Sequence, residues 1–185
     1  DMYTGIFSDV RAMDHSSSLA GSDSSLGLGY GYNGDDFDYY YGSVPPAIGF
    51  SYLQGPVVPG TQNDVAFKNG KKISGSKNLK TTSFVFFTCG GTENPYPSNA
   101  DNTQRYNLLK GKHSTTGKDF QIPQAYGGGT TKFIYGGDPI KSTGWVDGTS
   151  QTCGSRYLLL GCGPFNIDAA DTQEIVFSEI VGIGN

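Results

Sequence analysis

The sequence predicts an all-β protein, an antiparallel β-sandwich of jelly-roll-like kind with long loops and one short helix. Three observations lead there. The composition favours Gly (28 residues), Tyr (12) and Phe (11) and is only 16% charged, the opposite of a helical protein rich in Ala, Leu, Glu and Lys. Short β-branched and aromatic runs recur between clusters of Gly, Pro, Asn and Asp. A single segment carries helix signals at both of its ends. With 185 residues, one domain over residues 1–185 is expected, large enough to bury about 70% of its unfolded surface.

The elements follow in order. The stretch up to Asp23 is polar, rich in Asp and Ser, and closes on a turn over residues 21–24. Leu26-Gly-Leu-Gly-Tyr-Gly-Tyr-Asn33 alternates strictly, with Leu26, Leu28, Tyr30 and Tyr32 on one face and glycines on the other. That glycine face admits close approach of another backbone or a ring. Asn33-Gly-Asp-Asp36 is a turn before residues 37–41, and Val44-Pro-Pro46 forces extended geometry and can hold one cis bond. Residues 48–53 read as the next strand.

Asp64-Val-Ala-Phe-Lys-Asn-Gly-Lys-Lys-Ile-Ser74 carries the strongest hairpin signal, because Asn69-Gly70 suits a type I′ turn. Residues 82–89, β-branched and aromatic, read as a central strand. Residues 100–110 read as the helix, with Asn99 or Asp101 as its cap, Leu108 and Leu109 as apolar contacts and Gly111 as its stop. Residues 132–135 and a closing pair, 157–160 and 175–181, complete the strands. The pair flanks a link containing Gly163-Pro164 and Asp168-Ala-Ala-Asp171, so it reads as strand, reversal, strand within the core. Glu179 alone interrupts the last apolar run, which places it on a solvent face in preference to an ion pair.

Charge excludes some functions. The net charge is −4 and the pI near 5.0, whereas a nucleic-acid surface shows a basic stripe and a high pI. The one cluster of cations, Lys68, Lys71, Lys72, Lys77 and Lys80, reads as a lysine-protected hairpin edge. No apolar run approaches the ~20 residues that span a bilayer. The chain opens Asp1-Met2-Tyr3 without a basic-then-apolar leader, and is expected to be one section of a longer secreted precursor.

Few residues suggest covalent chemistry. The two histidines, His15 and His113, lie in polar segments, and no Gly-x-Ser-x-Gly elbow follows an apolar strand. Glu93, Glu174 and Glu179 form no recognisable catalytic carboxylate pair. No cofactor is expected beyond a structural calcium ion, for which Asp35, Asp36 and Asp38 supply carboxylate oxygens; solvated turn aspartates are the competing interpretation. Three cysteines allow one internal disulfide. Cys153 and Cys162 bracket what reads as one strand, beyond bridging distance at ~3.3 Å per residue, so the candidate pair is Cys89 with Cys153 or Cys162, set against three idle thiols. The aromatic supply is the best hint of contact function. Tyr39, Tyr40 and Tyr41 place rings on both faces of any strand, Tyr30, Tyr32 and Tyr96 add to the supply, and Tyr39 to Tyr41 with Tyr126 and Trp145 form the candidate binding platform. Against this stands the use of tyrosines to fill a core and cover glycine gaps.

An ordered set of blocks carries a resemblance over nearly the whole chain. They are Leu28-Gly-Tyr-Gly-Tyr-Asn-Gly-Asp35, Tyr41-Gly-Ser-Val-Pro-Pro-Ala-Ile-Gly-Phe50, Gln54-Gly-Pro-Val-Val-Pro-Gly60, Thr82-Ser-Phe-Val-Phe86, Tyr106-Asn-Leu-Leu-Lys-Gly111, Gly137-Asp-Pro-Ile-Lys-Ser-Thr-Gly-Trp145, Gly163-Pro-Phe165 and Asp171-Thr-Gln-Glu-Ile-Val176. The chain resembles a region of large secreted or cell-surface proteins of the Bacteroidota and Ignavibacteria type, associated with type IX secretion. That resemblance implies an extracellular location and a place within a longer polypeptide, and it carries over no catalytic residue. Similar chains have Gly-Cys-Asp where this one has Gly21-Ser-Asp23.

The expectation is a non-enzymatic extracellular structural or adhesive module, self-assembling into a surface layer or filament, with other copies of itself or cell-surface proteins as partners. The alternative is a carbohydrate- or ligand-binding module that accompanies a secreted hydrolase, with a polysaccharide as partner. Neither involves nucleic acid or a membrane span.

Overall fold

The computed structural model describes residues 1–10, 16–87, 101–148 and 154–183. Along them run β1 (Met2–Asp9), β2 (Ser18–Asp23), β3 (Leu28–Asn33), β4 (Pro46–Gln54), β5 (Val57–Pro59), β6 (Val65–Lys68), β7 (Lys71–Ser74), β8 (Ser76–Asn78) and β9 (Ser83–Phe87). Helix α1 (Asn102–Leu109), β10 (Phe120–Gln121), β11 (Thr130–Thr131), β12 (Tyr157–Phe165) and β13 (Val176–Ile183) follow. The main strands form two antiparallel sheets, one ordered β1-β12-β9 and the other β13-β4-β3-β2. The expected sandwich is realised as these two packed layers, with short ribbons β5–β8, β6–β7 and β10–β11 beside them.

The interface between the layers is set by alternation along each strand. The four-stranded sheet turns Ala20, Ile48, Phe50 and Tyr52 inward, and Phe84, Leu158, Leu160 and Cys162 meet them from the other sheet, all buried. Strand β3 contributes glycines to this interface instead of side chains. The fully buried Phe84 ring occupies the space a Gly29 side chain would need, and Leu160 Cδ1 lies 3.0 Å from the same point. The glycine face of β3 therefore receives a ring, and its tyrosines are turned outward.

Helix α1 lies on the other face of the three-stranded sheet, where Leu109 packs against Gly5 and its carbonyl accepts from Ser83 Oγ at 2.9 Å. Asp101 and Gln104 form a reciprocal capping box at its start, and Gly111, at φ 71°, follows its end. The Asn69-Gly70 turn also forms as expected, with φ of 53° and 70° joining β6 to β7. The link between the last two strands docks on this hairpin. Glu174 accepts from Asn69 N and Gln54 Nε2, both at 2.8 Å, and Lys68 pairs with Asp171 at 2.8 Å.

Several expectations are corrected. The polar N-terminal stretch contains β1 and β2; β2 is buried through small residues such as Ser18, Ala20 and Ser22, which carry no hydrophobic signal. The 82–89 run yields β9, which is an outer strand. Its free side is closed by residues 132–134, because Phe84 N donates to Lys132 O at 2.8 Å and Ile134 N to Phe84 O at 3.2 Å. Residues 132–135 thus plug an edge and build no regular strand. The closing pair is not a hairpin: β12 is the middle strand of one sheet and β13 an outer strand of the other. Among the described residues the cis peptide is Gly163–Pro164, and none falls at 44–46.

Because Phe84 is fully enclosed, it cannot yield to a side chain from β3. Gly29→Val is expected to destabilise the fold by about 3 kcal/mol, measured by denaturant unfolding, while leaving the denaturant slope unchanged.

Candidate functional site

Turning the β3 glycines inward leaves Leu28, Tyr30 and Tyr32 on the outer face of the four-stranded sheet. There they line a groove of about 850 Å³. The Tyr30 ring lies across Gly21 of the neighbouring strand, so close that a Cβ there would sit 2.5 Å from its hydroxyl oxygen. One ring face is thereby pressed on the sheet and the ring is held flat. Tyr32 stands next to it, ring centroids 5.9 Å apart and tilted by 42°.

The second wall is the segment 136–147. Asp138 and Thr143 exchange backbone hydrogen bonds, and Asp138 Oδ1 accepts from Ile140 N and Lys141 N, which folds residues 138–143 into a tight loop. The wall is anchored from behind by Trp145, which meets Tyr135 edge-on at 4.9 Å; Tyr135 in turn meets Phe86 at 5.1 Å. Tyr135 O accepts from Ser22 N at 3.0 Å, fixing this support to the edge of β2.

A buried ion pair lies beneath. Asp147 and Arg156 have side chains 0% and 1% exposed, joined in a fork by Nε–Oδ2 at 2.7 Å and Nη2–Oδ1 at 3.1 Å. Asp147 also accepts from Ala20 N at 2.8 Å and Gly148 N at 2.7 Å. The guanidinium carbon lies 5.0 Å from the centre of the Phe86 ring. One carboxylate therefore ties the groove wall, β2 and the entry to β12 together.

The groove alters its tyrosines. Burial, then the charges of Asp138 and Asp23, raises the Tyr30 hydroxyl above its ordinary value. Burial, then Asp147 and Tyr30, with Arg156 opposing, pushes Tyr32 up to about 12. Both phenols are thus neutral at physiological pH. Asp23 receives Ser25 N, Ser25 Oγ and Leu26 N on Oδ1, which holds its carboxyl below the ordinary range.

The residues singled out in the sequence are dispersed. Tyr39, Tyr40 and Tyr41 are 77%, 76% and 54% exposed at the tip of a turn closed by Asp38 and Gly42. Tyr126 stands apart on a 3-10 turn, and Trp145 is half-buried, packed against the core behind the groove wall. Among the calcium candidates, Asp38 is buried and accepts from Asn33 Nδ2, Tyr40 N and Tyr41 N, while Asp35 accepts from Ser17 Oγ. Asp36 is exposed. Among the described residues, no group of three His, Cys, Asp or Glu side chains is placed to hold a metal. Cys162 is a free thiol inside β12, donating to Lys80 O at 3.2 Å, so a Cys89–Cys162 bridge is not formed; Cys89 and Cys153 lie outside the described residues. His113 packs on Phe120, with ring centroids 4.2 Å apart, while His15, Glu93 and Tyr96 lie outside the described residues.

Tyr30 and Tyr32 stand in the sequence as alternation markers and as part of the aromatic supply, outside the candidate platform, while Asp147 and Arg156 carry no site motif of their own. The available signals were the glycine face of β3, which turns both tyrosines outward, and a lone arginine opening an apolar run.

A second exposed feature is β13. It pairs with β4 from Val176 to Ile183, and among the described residues nothing pairs with its other side. Phe177, Ile180, Val181 and Ile183 are each more than half exposed. Glu179 is also exposed, the solvent position favoured above. Comparison with protein-family models, curated proteins and solved structures finds no match.

Removing one partner of a buried ion pair leaves an uncompensated charge. Asp147→Ala is expected to cost about 4 kcal/mol in chemical denaturation, the cost of stranding buried Arg156. Burial pushes the Cys162 thiol up to about 12, so at pH 8 it remains protonated. Peptide mapping after iodoacetamide treatment of the native protein is expected to find Cys162 unmodified, with labelling appearing only in denaturant.

Proposed function

We propose that this chain is a non-enzymatic extracellular structural or adhesive module that associates with copies of itself through β13. The supporting observation is the open, apolar edge of that strand. A sheet edge presents unpaired backbone N–H and C=O groups, which are complementary to another extended strand. Edges are ordinarily blunted by lysines, prolines or a covering segment. Strand β13 has no lysine or proline, one charge at Glu179, and no covering segment among the described residues.

The inner side of β13 strengthens this reading. In register, Phe177 lies opposite Tyr52 and Val181 opposite Ile48, so they share the face that elsewhere packs on the second sheet. The second layer has three strands against four, and β13 overhangs it with that face exposed. A second copy of β13, antiparallel to the first and centred near Ile180, would place Glu179 opposite Val181 of its mate and keep the two carboxylates from facing one another. Two four-stranded sheets would then become one of eight.

A two-fold contact of this kind closes at a dimer. Growth into a filament or layer requires another surface. The outermost strand of the other sheet, β1, and the exposed Tyr39–Tyr41 turn are the available ones.

Sedimentation velocity over a range of concentrations tests the proposal. The protein is expected to pass from monomer to dimer or larger species, and Val181→Lys/Ile183→Lys to stay monomeric with an unchanged melting temperature, because both side chains are exposed. A wild-type protein that remains monomeric at millimolar concentration refutes it.

A further inference from the structure

We propose that the groove over Tyr30 and Tyr32 is a binding site for an uncharged saccharide. It lies on the outer face of the sheet and does not depend on association through β13.

The ligand class follows from what the groove presents. Among the described residues its lining contains no lysine, arginine or histidine, and Lys141, 76% exposed, pairs outside it with Asp138 Oδ2 at 3.1 Å. Asp23 beside Tyr30 has no cation paired with it among those residues, so phosphate, sulfate and uronate groups find no cation in the groove and meet the Asp23 carboxylate. The Tyr30 ring is braced flat against Gly21, leaving its other face as a platform; Leu19, Pro139 and Ile140 add apolar surface. A flat ring braced from one side suits stacking with the C–H face of a pyranose, whereas recognition of a quaternary ammonium relies on rings enclosing it from several directions. Two adjacent ring centroids 5.9 Å apart form a strip longer than a single ring.

The polar groups complete the match. Tyr30 and Tyr32 are held neutral, so each hydroxyl can donate and accept. The local hydrogen bonds to Asp23 converge on Oδ1, leaving Oδ2 as an acceptor. Sugar hydroxyls supply the donors such acceptors need. The groove is also pre-formed, since its wall is braced by Trp145 and its base by the Asp147–Arg156 pair, which lowers the ordering cost of binding.

Isothermal titration of the whole chain with the neutral tetrasaccharides of glucose, xylose, mannose and N-acetylglucosamine tests this, with tetragalacturonic acid and tetramethylammonium as charged controls. At least one neutral tetrasaccharide is expected to bind with Kd of about 1 mM or tighter, with Tyr30→Ala weakening it about tenfold and Asp138→Asn about threefold. Asp138→Asn serves where Tyr30→Ala disturbs the sheet, because an amide oxygen still accepts from Ile140 N and Lys141 N. Binding by none of the four, binding of a charged control alone, or affinity unchanged in a folded Asp138→Asn and Tyr30→Ala overturns the proposal. Val181→Lys/Ile183→Lys is expected to keep its sugar affinity, so this site and the β13 edge can fail independently.

Discussion

The Asp147–Arg156 pair is the constraint on which much of this structure depends. Two opposite charges are withdrawn from water and made tolerable by a shared set of hydrogen bonds: the fork between them, Ala20 N and Gly148 N on the acid, Gly154 O on the base. Those partners belong to separate parts of the chain. One carboxylate joins the edge of β2, the end of the groove wall and the segment leading into the central strand of the opposite sheet. A bidentate pair with three further bonds adds a directional constraint that apolar packing does not supply. The pair therefore fixes register between layers that hydrophobic packing alone would leave adjustable.

What was legible in the sequence was what local chemistry decides. Asn69-Gly70 specifies its turn through φ, Asp101 with Gln104 specifies the helix start, and the alternation of residues 28–33 specifies a two-faced strand. What was not legible depends on partners distant along the chain. Strand β2 is buried because Tyr30 covers Gly21 and because Ser18 and Ser22 are small, and no periodicity of its own announces that. The apolar run of β13 reads as core, yet it lies beyond the reach of a shorter opposing sheet, so the same residues are exposed. Trp145 reads as a platform residue in the sequence, and its packing on Tyr135 depends on a neighbour ten residues away that no local pattern announces. The site was missed for a related reason: Tyr30 and Tyr32 owe their outward position to glycines whose purpose is to admit Phe84.

The two surfaces proposed for contact follow from that asymmetry. Inward glycines on β3 bring the sheets close and give the outer face its tyrosines, which the segment 136–147 converts from a flat sheet surface into a groove. Among the described residues, the mismatch of three strands against four leaves β13 without a facing layer. Close packing at one place and incomplete packing at another are consequences of a single sandwich, and each marks a different kind of contact, concave with polar margins in one case and extended and apolar in the other.

The turn bearing Tyr39, Tyr40 and Tyr41 has its own consequence. Asp38, buried and bonded to Asn33, accepts the backbone amides of Tyr40 and Tyr41 while pairing with Gly42. The loop's backbone is therefore held by four hydrogen bonds, and of its rings Tyr39 and Tyr40 meet edge-on at 5.1 Å. A flexible loop surrenders conformational entropy residue by residue when it meets a surface; this one has surrendered that part on folding, and each ring has only two torsions left to lose. Any contact the three exposed tyrosines make carries a low backbone-ordering cost, set by a single aspartate hidden beneath them.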